Sequence, residues 1–555
     1  MPPDAVITQQ TAAEADVCLI VEGGYPYILG GVGSWMDALM RASPQLRFYV
    51  ISIGIAAQPR VAKYGIAENV VGITDVILDQ APAGYAPRRR DAGLIAHGVR
   101  LMQDVLSGAP GGSFEALIDL VRESGLGRAA LLDSKPAWTA MERVYRETLA
   151  NGSLIDFFWT WRFLARSLLA IVTVPLPRAS VFHAVSTGYA GLTGAYARHV
   201  TGRPCVVTEH GIYTNERRIE LSVADWIFDS GAGGFAVGTK PAELREVWLN
   251  GFVGFSRVAY AAADLITTQY RANQEYQRAD GAPQEKFRII PNGIDVDVYA
   301  SVVKSTAPRK PTVLMIGRIV PIKDIRTFIT AISLLKPLVP EVVALLIGPE
   351  EEDPAYAAGC RALVAQLGLQ DTVQFLGRVP DVKAYLGYAD VIALSSISEA
   401  QPIALLEAAA TGLPAVTTDV GSCREIIEGF DGDPVHGRGG YVVAACNPKA
   451  MAEALAAILR DPEAGRAMGR VMQQRIPQLY HKERIRRLYE GLYAELAAER
   501  PKTVLAPQVV PFMSMPRSGI QAMWHRLTHR VLSNKHTRTG LSARLQPGTP
   551  GASGA

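Results

Sequence analysis

The sequence predicts an α/β protein made of two doubly wound halves, each a largely parallel sheet covered by helices. Three observations carry this. Short apolar, β-rich runs recur through the chain, most of them separated by segments of helical composition. The alternation starts afresh after about residue 310 with its own set of runs. Glycines and charged residues cluster just after those runs, where open α/β sheets place their ligands. A length of 555 residues suits more than one domain, and a hydrophobic fraction of 48% can build large cores. A charged fraction of 20% argues against global disorder.

The charge is uneven. After Arg500 there are seven Lys and Arg (Lys502, Arg517, Arg526, Arg530, Lys535, Arg538, Arg544) and no acid. Removing that +7 from the formal +3 leaves −4 for residues 1–500, so the body is not a nucleic-acid binder by charge. The five cysteines (Cys18, Cys205, Cys360, Cys423, Cys446) form no CxxC pair, and a reducing cytoplasm fits them. The first fifteen residues are polar and contain acids, unlike a secretory signal. The most apolar segment, Phe157 to Val174, carries Arg162 and Arg166 and reads as a buried or amphipathic helix.

In chain order, Val17–Val21 is the first strand, followed by the glycine-rich stretch Glu22 to Trp35 and a helix over Met36–Met40. Such a turn can bring amides to phosphate, but its spacing is neither a Walker loop nor GxGxxG, and alone it reads first as a plain tight turn. Further strands are expected at Phe48–Ile53, Val181–Val185, Cys205–Thr208, Ala263–Thr268 and Phe287–Ile290. Residues from about 55 to 180 read as an insertion with helices at Phe114–Ser124, Ala137–Asn151 and Ile155–Val172. His210, in Thr208-Glu209-His210-Gly211, stands at a strand end; a lone histidine there reads first as structural. The charged run Tyr213 to Glu220 is a candidate acceptor-side surface. Pro291 to Asp295 reads as a turn between domains. Asp295-Val296-Asp297 spells the Asp-x-Asp of metal-dependent sugar transferases, but a boundary turn is a poor metal site; Asp431-Gly432-Asp433 reads as a loop.

In the second half, Thr312–Ile316 is a strand, and Gly317-Arg318 and Lys323 follow it, with Lys323 opening a helix toward Leu335. Strands at Val342–Ile347, Val373–Leu376, Val391–Leu394 and Ala415–Thr417 repeat the pattern. The stretch Ser398 to Ala408 is the richest in chemistry. Pro402 suits the first turn of a helix over Ile403–Ala410, so Glu399 lies in a loop and Glu407 inside the helix. Eight residues at helical rise separate the two by about 12 Å. That is wider than the roughly 5–9 Å of a glycosidase pair. Two acids so spaced, with free helix N–H groups between them, describe a grip on a nucleotide sugar. A solvated helix with incidental acids stays open on this stretch alone. Arg318 and Lys323 can place a fork and a point charge on one diphosphate, or be two surface cations. All four residues fall at strand ends or in the helices after them, which in this fold converge on one crevice.

Gly317-Arg318 with Lys323, and Glu399 followed seven residues later by Glu407, resemble the donor-site signature of glycosyltransferase family 4. The stretches Glu22 to Trp35 and Thr208 to Arg217 resemble the branch that serves Pel exopolysaccharide synthesis. The likeness spans Val17 to Glu499. It implies the GT-B architecture, two Rossmann-like domains facing across a cleft, and a retaining transfer from a UDP-hexose to a polysaccharide acceptor without a metal or other cofactor. It implies that Arg318 and Lys323 bind the diphosphate, Glu407 the ribose, Glu399 the donor hexose, and the amides near Ile403 and Ala404 the phosphate. Gly30 and Gly31 would approach the diphosphate from the opposite domain, and His210 would lie near the transferred sugar. His210, Glu399, Arg318 and Lys323 are thus the catalytic candidates. The expected division is 15–297 for the N-terminal domain, 298–480 for the donor domain and 481–500 for a helix crossing back. Residues 501–555 form a basic tail, disordered or amphipathic over Arg517–Arg538. Partners implied are inner-membrane synthase and export proteins, at the cytoplasmic face. Rival readings are a glycogen-synthase-like transferase, a nucleotide-sugar epimerase and a non-catalytic scaffold that binds nucleotide sugars.

Overall fold

The computed structural model describes residues 14–55, 61–149, 152–222, 224, 244–305 and 309–498. The tail 501–555, with its expected amphipathic helix, lies outside the described residues.

Two wholly parallel sheets organise the chain. The first holds β1 (Glu14–Glu22), β2 (Phe48–Gly54), β3 (Val70–Ile77), β4 (Arg178–Ala184), β5 (Cys205–Glu209), β6 (Leu265–Thr268) and β7 (Phe287–Ile289), in the order β3-β2-β1-β4-β5-β6-β7. The second holds β8 (Thr312–Ile316), β9 (Val343–Ile347), β10 (Val373–Gly377), β11 (Val391–Leu394), β12 (Ala415–Thr418) and β13 (Gly440–Val443), ordered β10-β9-β8-β11-β12-β13. Both orders reverse once, between β1 and β4 and between β8 and β11. The crevice outside the strand ends at that reversal is where such sheets bind ligands. The central strands are buried along most of their length, as expected where helices cover both faces of a sheet. Cys18 and Cys205 sit in these strands as small core residues.

The stretch expected as an insertion is corrected at its start. β3 falls inside it and forms the sheet's edge, pairing Ile73 with Val50. Its half-buried pattern, with an acid at Asp75, hid the strand from an apolar-run reading. The helical part begins with Ala92–Leu106, which no periodicity had flagged, and continues with Ser113–Ser124, Lys135–Thr148 and Leu154–Ile171. Ser134 and Ser153 cap the last two by accepting from Ala137 N and Asp156 N. The apolar Leu154–Ile171 is a buried helix whose Arg166 pairs with Asp79 at 2.5 Å. No helix of the described residues is long and apolar enough to cross a membrane.

Helix Pro462–Tyr480 packs against the second sheet's half, and the chain then returns. Ile294 N donates to Tyr480 O and Lys482 N to Ile294 O, both at 2.9 Å, so the two crossings between the sheets are tied at one point. Helix Lys482–Ala497 buries Ile485, Tyr489, Leu492, Tyr493 and Leu496 in one cluster with Val17, Leu19, Val181 and Val206 of the first sheet. Tyr493 Oη lies 2.7 Å from His183 Nδ1, and His183 Nε2 lies 2.6 Å from Thr208 Oγ1, in the core under β5.

Asp433, expected in a loop, has a structural task there. Its carboxylate accepts from Arg475 Nε at 2.6 Å, with both side chains fully or nearly fully buried. The guanidinium's other N–H groups reach the carbonyls of Ile426, Ile427, Val435 and Gly437 at 2.8–3.2 Å. Asp433→Ala strands that charge in the core. It should destabilise the C-terminal half by about 3–5 kcal/mol, read as a lowered denaturation midpoint; a change under 0.5 kcal/mol would refute the pairing.

Candidate active site

The loops after β8 and β11 meet at the reversal of the second sheet. Ser395 Oγ donates to the carbonyls of Lys323 and Asp324 at 2.9 Å, and Ile397 N to Ile322 O at 2.9 Å. Lys323 does not open the helix, as expected from sequence. It ends a short 3₁₀ turn, Pro321–Lys323, and Asp324 caps helix Ile325–Leu335 from a left-handed conformation (φ 45°), accepting from Thr327 N at 3.2 Å. Non-glycine residues take that conformation rarely, Asp more readily than most, and it turns the Lys323 side chain out of the helix. Lys323 Nζ is in direct contact with Glu399 Oε1, which also accepts from Ser396 Oγ at 2.6 Å. The two side chains are only 20% and 11% exposed.

Two glycines permit this approach of loops. A Cβ on Gly348, after β9, would stand 1.8 Å from Gly317 O. A Cβ on Gly421 (φ 55°) would stand 2.4 Å from Glu399 O. Ser422 N in turn donates to Ala400 O at 2.8 Å, holding the loop that carries Glu399.

Arg318 lies in the same loop as Lys323 but points to another acid. Its Nη1 bonds both oxygens of Glu352, at 2.7 and 2.6 Å, from the loop after β9. Both cations expected at a diphosphate are therefore held by carboxylates here. Pro402 takes the N-cap position, one residue earlier than expected, so the N–H groups of Ile403 and Ala404 head helix Ile403–Ala410. Neither has a protein acceptor among the described residues. Glu407 lies just over one turn down that helix. Tyr299 Oη donates to its Oε1 at 2.6 Å, and burial raises its pKa above the usual carboxylate value.

On the facing sheet, Gly30 and Gly31 lie at the exposed start of helix Gly31–Ala42, which begins five residues earlier than expected. A Cβ on either would meet nothing within 4 Å, so no packing inside the chain requires glycine there. His210 follows β5. The Gln269 amide is satisfied when its nitrogen donates to the carbonyls of Glu209 (2.9 Å) and His210 (3.0 Å). Its oxygen then accepts from His210 Nδ1 at 3.0 Å, which fixes the tautomer. Nε2 is left as a bare acceptor, buried and unpartnered among the described residues, and the His210 and Trp35 ring centroids lie 4.8 Å apart. Burial lowers the His210 pKa to about 4, so the ring is neutral near pH 7.

Sequence reasoning passed over several groups. Glu209 is buried and accepts from Tyr260 Oη (2.5 Å), Gln277 Nε2 (2.9 Å), Thr187 Oγ1 (3.0 Å) and Tyr213 N (3.2 Å), with its pKa raised by burial. Glu22, at the end of β1, accepts from Tyr189 N at 3.0 Å and Tyr213 Oη at 3.3 Å. Both stand at strand ends, the same signal that singled out His210. Three consecutive glutamates after β9 marked Glu352 in the same way. Nothing in the sequence links Tyr299 to Glu407. Of the Asp-x-Asp triplet, Asp295 pairs with Lys482 and Asp297 faces His481 at 3.5 Å. The candidate surface Tyr213–Glu220 is a helix, Tyr213–Ser222, whose Arg217 packs over the Tyr213 ring.

Residues 301–475 match the family described as Glycosyl transferases group 1, and residues 15–285 match a Domain of unknown function (DUF3492). Over 227 residues the chain is 30% identical to D-inositol 3-phosphate glycosyltransferase of Pseudarthrobacter chlorophenolicus, covering 39% of this chain and 52% of that protein. It is 31% identical over 134 residues to N-acetyl-alpha-D-glucosaminyl L-malate synthase of Bacillus anthracis, covering 24% and 33%. The chain spans about half the length, or less, of these curated relatives. Among solved structures, sucrose-phosphate synthase from Thermosynechococcus elongatus superposes with a TM-score of 0.53 at 17% identity, covering 87% of this chain and 99% of that one. The Anabaena protein HepE in complex with UDP gives 0.51 at 14% identity, covering 86% and 100%. The fold is GT-B, and residues 301–475 carry the group 1 glycosyltransferase match.

The buried histidines generate a pH dependence. His183, fully buried, has its pKa lowered to about 3, chiefly by desolvation. The unfolded chain takes up that proton near pH 6.5. Below 6.5 the unfolded state binds more protons than the folded one. Stability from His183 is therefore present above 6.5 and is lost as pH falls toward 3, at about 1.4 kcal/mol per pH unit. The raised pKa values of Glu22 and Glu209 act in the opposite sense near pH 4.5. The readout is thus a difference: denaturation midpoints of His183→Gln should fall less steeply than wild type between pH 6.5 and 5. Parallel profiles would contradict a neutral His183.

Proposed function

We propose that this chain is a retaining, metal-independent glycosyltransferase that moves a hexose from a UDP-sugar to a growing exopolysaccharide, as a PelF-type enzyme. The observation that carries the reading is the contact of Lys323 with Glu399 at the reversal of the donor-side sheet. Arg318, the open amides of Ile403 and Ala404, and Glu407 surround it on the same two loops and one helix. The HepE structures with UDP and with UDP-glucose share the fold, which makes a uridine nucleotide the first donor to test.

The leaving group is a nucleoside diphosphate, and negative charge builds on it as the glycosidic bond breaks. A phosphate entering the crevice competes with Glu352 for Arg318 and with Glu399 for Lys323. The Arg318–Glu352 pair is half exposed and of the kind worth under about 1 kcal/mol, so exchange is cheap. Lys323 and the two amides stand within a preformed loop framework and can stabilise the diphosphate without a metal ion. Glu399, once released, is placed to accept from donor-sugar hydroxyls. Glu407, oriented by Tyr299 on one oxygen, offers the other to the ribose. His210 Nε2 can only accept, which suits a sugar hydroxyl. The protein works on the cytoplasmic side, with inner-membrane partners that export the polymer.

The test is transfer from UDP-glucose, UDP-N-acetylglucosamine and UDP-N-acetylgalactosamine, with and without EDTA. Arg318→Ala and Lys323→Ala should each lower kcat by about 30- to 1,000-fold, equivalent to about 2–4 kcal/mol. Near-normal turnover by either variant would refute the assignment, and donor conversion with no acceptor would favour an epimerase. Glu407→Ala should raise the donor KM at least tenfold and Tyr299→Phe by less, since the second removes only the group that orients the first. An equal or larger effect of Tyr299→Phe would contradict that order.

A further inference from the structure

One groove lies away from the donor crevice, in the helical insertion. It holds about 630 Å³ between helices Ala92–Leu106 and Lys135–Thr148. We infer that this groove is a docking site for an acidic amphipathic helix of a partner protein.

The shape comes from residue spacing. Ala92, Ala96, Val99 and Gln103 recur every three or four residues, so they line one face of the first helix for three turns. Pro136, Ala140, Val144 and Glu147 do the same on the second. Eleven residues at helical rise make the groove about 16 Å long. Its floor is of small or branched apolar side chains, the surface into which the side chains of a third helix pack.

The charge comes from the rim. Arg88, Arg89, Arg100, Lys135 and Arg143 line it, against the carboxylates Asp104 and Glu147. None of the five cations makes an ion pair with a described residue. Elsewhere on the insertion, arginines are paired: Arg128 and Arg162 with Asp133, Arg146 with Glu142. The rim is thus a concentration of uncompensated positive charge beside an apolar floor.

That combination selects the occupant. A small polar ligand would need several buried donors converging on it, and among the described residues the floor offers only the half-buried Gln103 amide. A flat anionic membrane would meet the exposed cations but leave a concave apolar floor unfilled. The chain's own residues 501–555 carry seven cations and no acid, so charge excludes them. An amphipathic helix with aliphatic residues on one face and Asp or Glu on its flanks satisfies both floor and rim.

The probe is an 18-residue helical peptide with a Leu/Ala face and a Glu face, with a twin carrying Lys in place of Glu. Binding to the full chain is read by fluorescence anisotropy. The acidic peptide should bind at least tenfold tighter than the twin and weaken in 0.5 M salt. Arg100→Glu with Arg143→Glu should cost at least tenfold, and Ala140→Trp, which fills the floor without changing charge, a similar factor. Circular dichroism and UDP affinity should be unchanged in all three substitutions. Equal binding of the twin, or full binding to Ala140→Trp, would overturn the proposal. Displacement by inorganic phosphate or ATP at millimolar concentration would also overturn it and assign the rim to a small anion. Tighter binding to anionic vesicles, retained in Ala140→Trp, would assign it to a membrane.

Discussion

The structure depends on the return of the chain at His481. Helix Pro462–Tyr480 belongs to the donor-side half and helix Lys482–Ala497 to the facing half, and one residue separates them. The backbone bonds of Ile294 with Tyr480 and Lys482 tie this return to the outward crossing. Five side chains of the returning helix fill the core under the first sheet, and each buried side chain of this size contributes roughly 1.5–3 kcal/mol. The last helix is thus core to the half that it enters from outside. Its Tyr493 holds His183, which holds Thr208, two residues before His210. The connection that ties the halves also supports the strand that presents a candidate catalytic group.

Within the donor half, the same economy operates at the sheet reversal. Adjacent parallel strands end side by side, so their loops share hydrogen bonds, and a lysine from one and a glutamate from the other come into contact. Arg318 and Lys323 are each met by a carboxylate, Glu352 and Glu399. That keeps the charges compensated and the side chains placed. Under the proposed function, an incoming diphosphate would supply the negative charge that these carboxylates provide.

Much of this was legible in the sequence, because buried parallel strands read as continuous apolar runs and ligand groups follow them. Eleven of the thirteen strands lie at or beside expected runs. The exceptions have physical causes. β3 is an edge strand with polar residues, so it lacks the run. Lys323 was read as a helix start because the periodicity of Ile325–Leu335 is visible, whereas the left-handed turn at Asp324 leaves no trace in composition. β13, four residues opening with glycine, carries little pattern. The positions of Arg318, Lys323, Glu399 and Glu407 follow from strand order alone. Their carboxylate and tyrosine partners do not, because Glu352 and Tyr299 are brought in by tertiary contact. The insertion groove is the same case: each lining helix reads as an ordinary amphipathic helix until the two are set side by side.

The central claim is that the crevice at the β8–β11 reversal binds a uridine diphosphate through protein groups alone. Calorimetric titration of the full chain with UDP, ADP and GDP, with and without EDTA, tests it most directly. The account predicts selective UDP binding that survives EDTA. Absence of nucleotide binding, or binding that requires a divalent cation, would contradict it, and preference for ADP would move the donor to another nucleotide class.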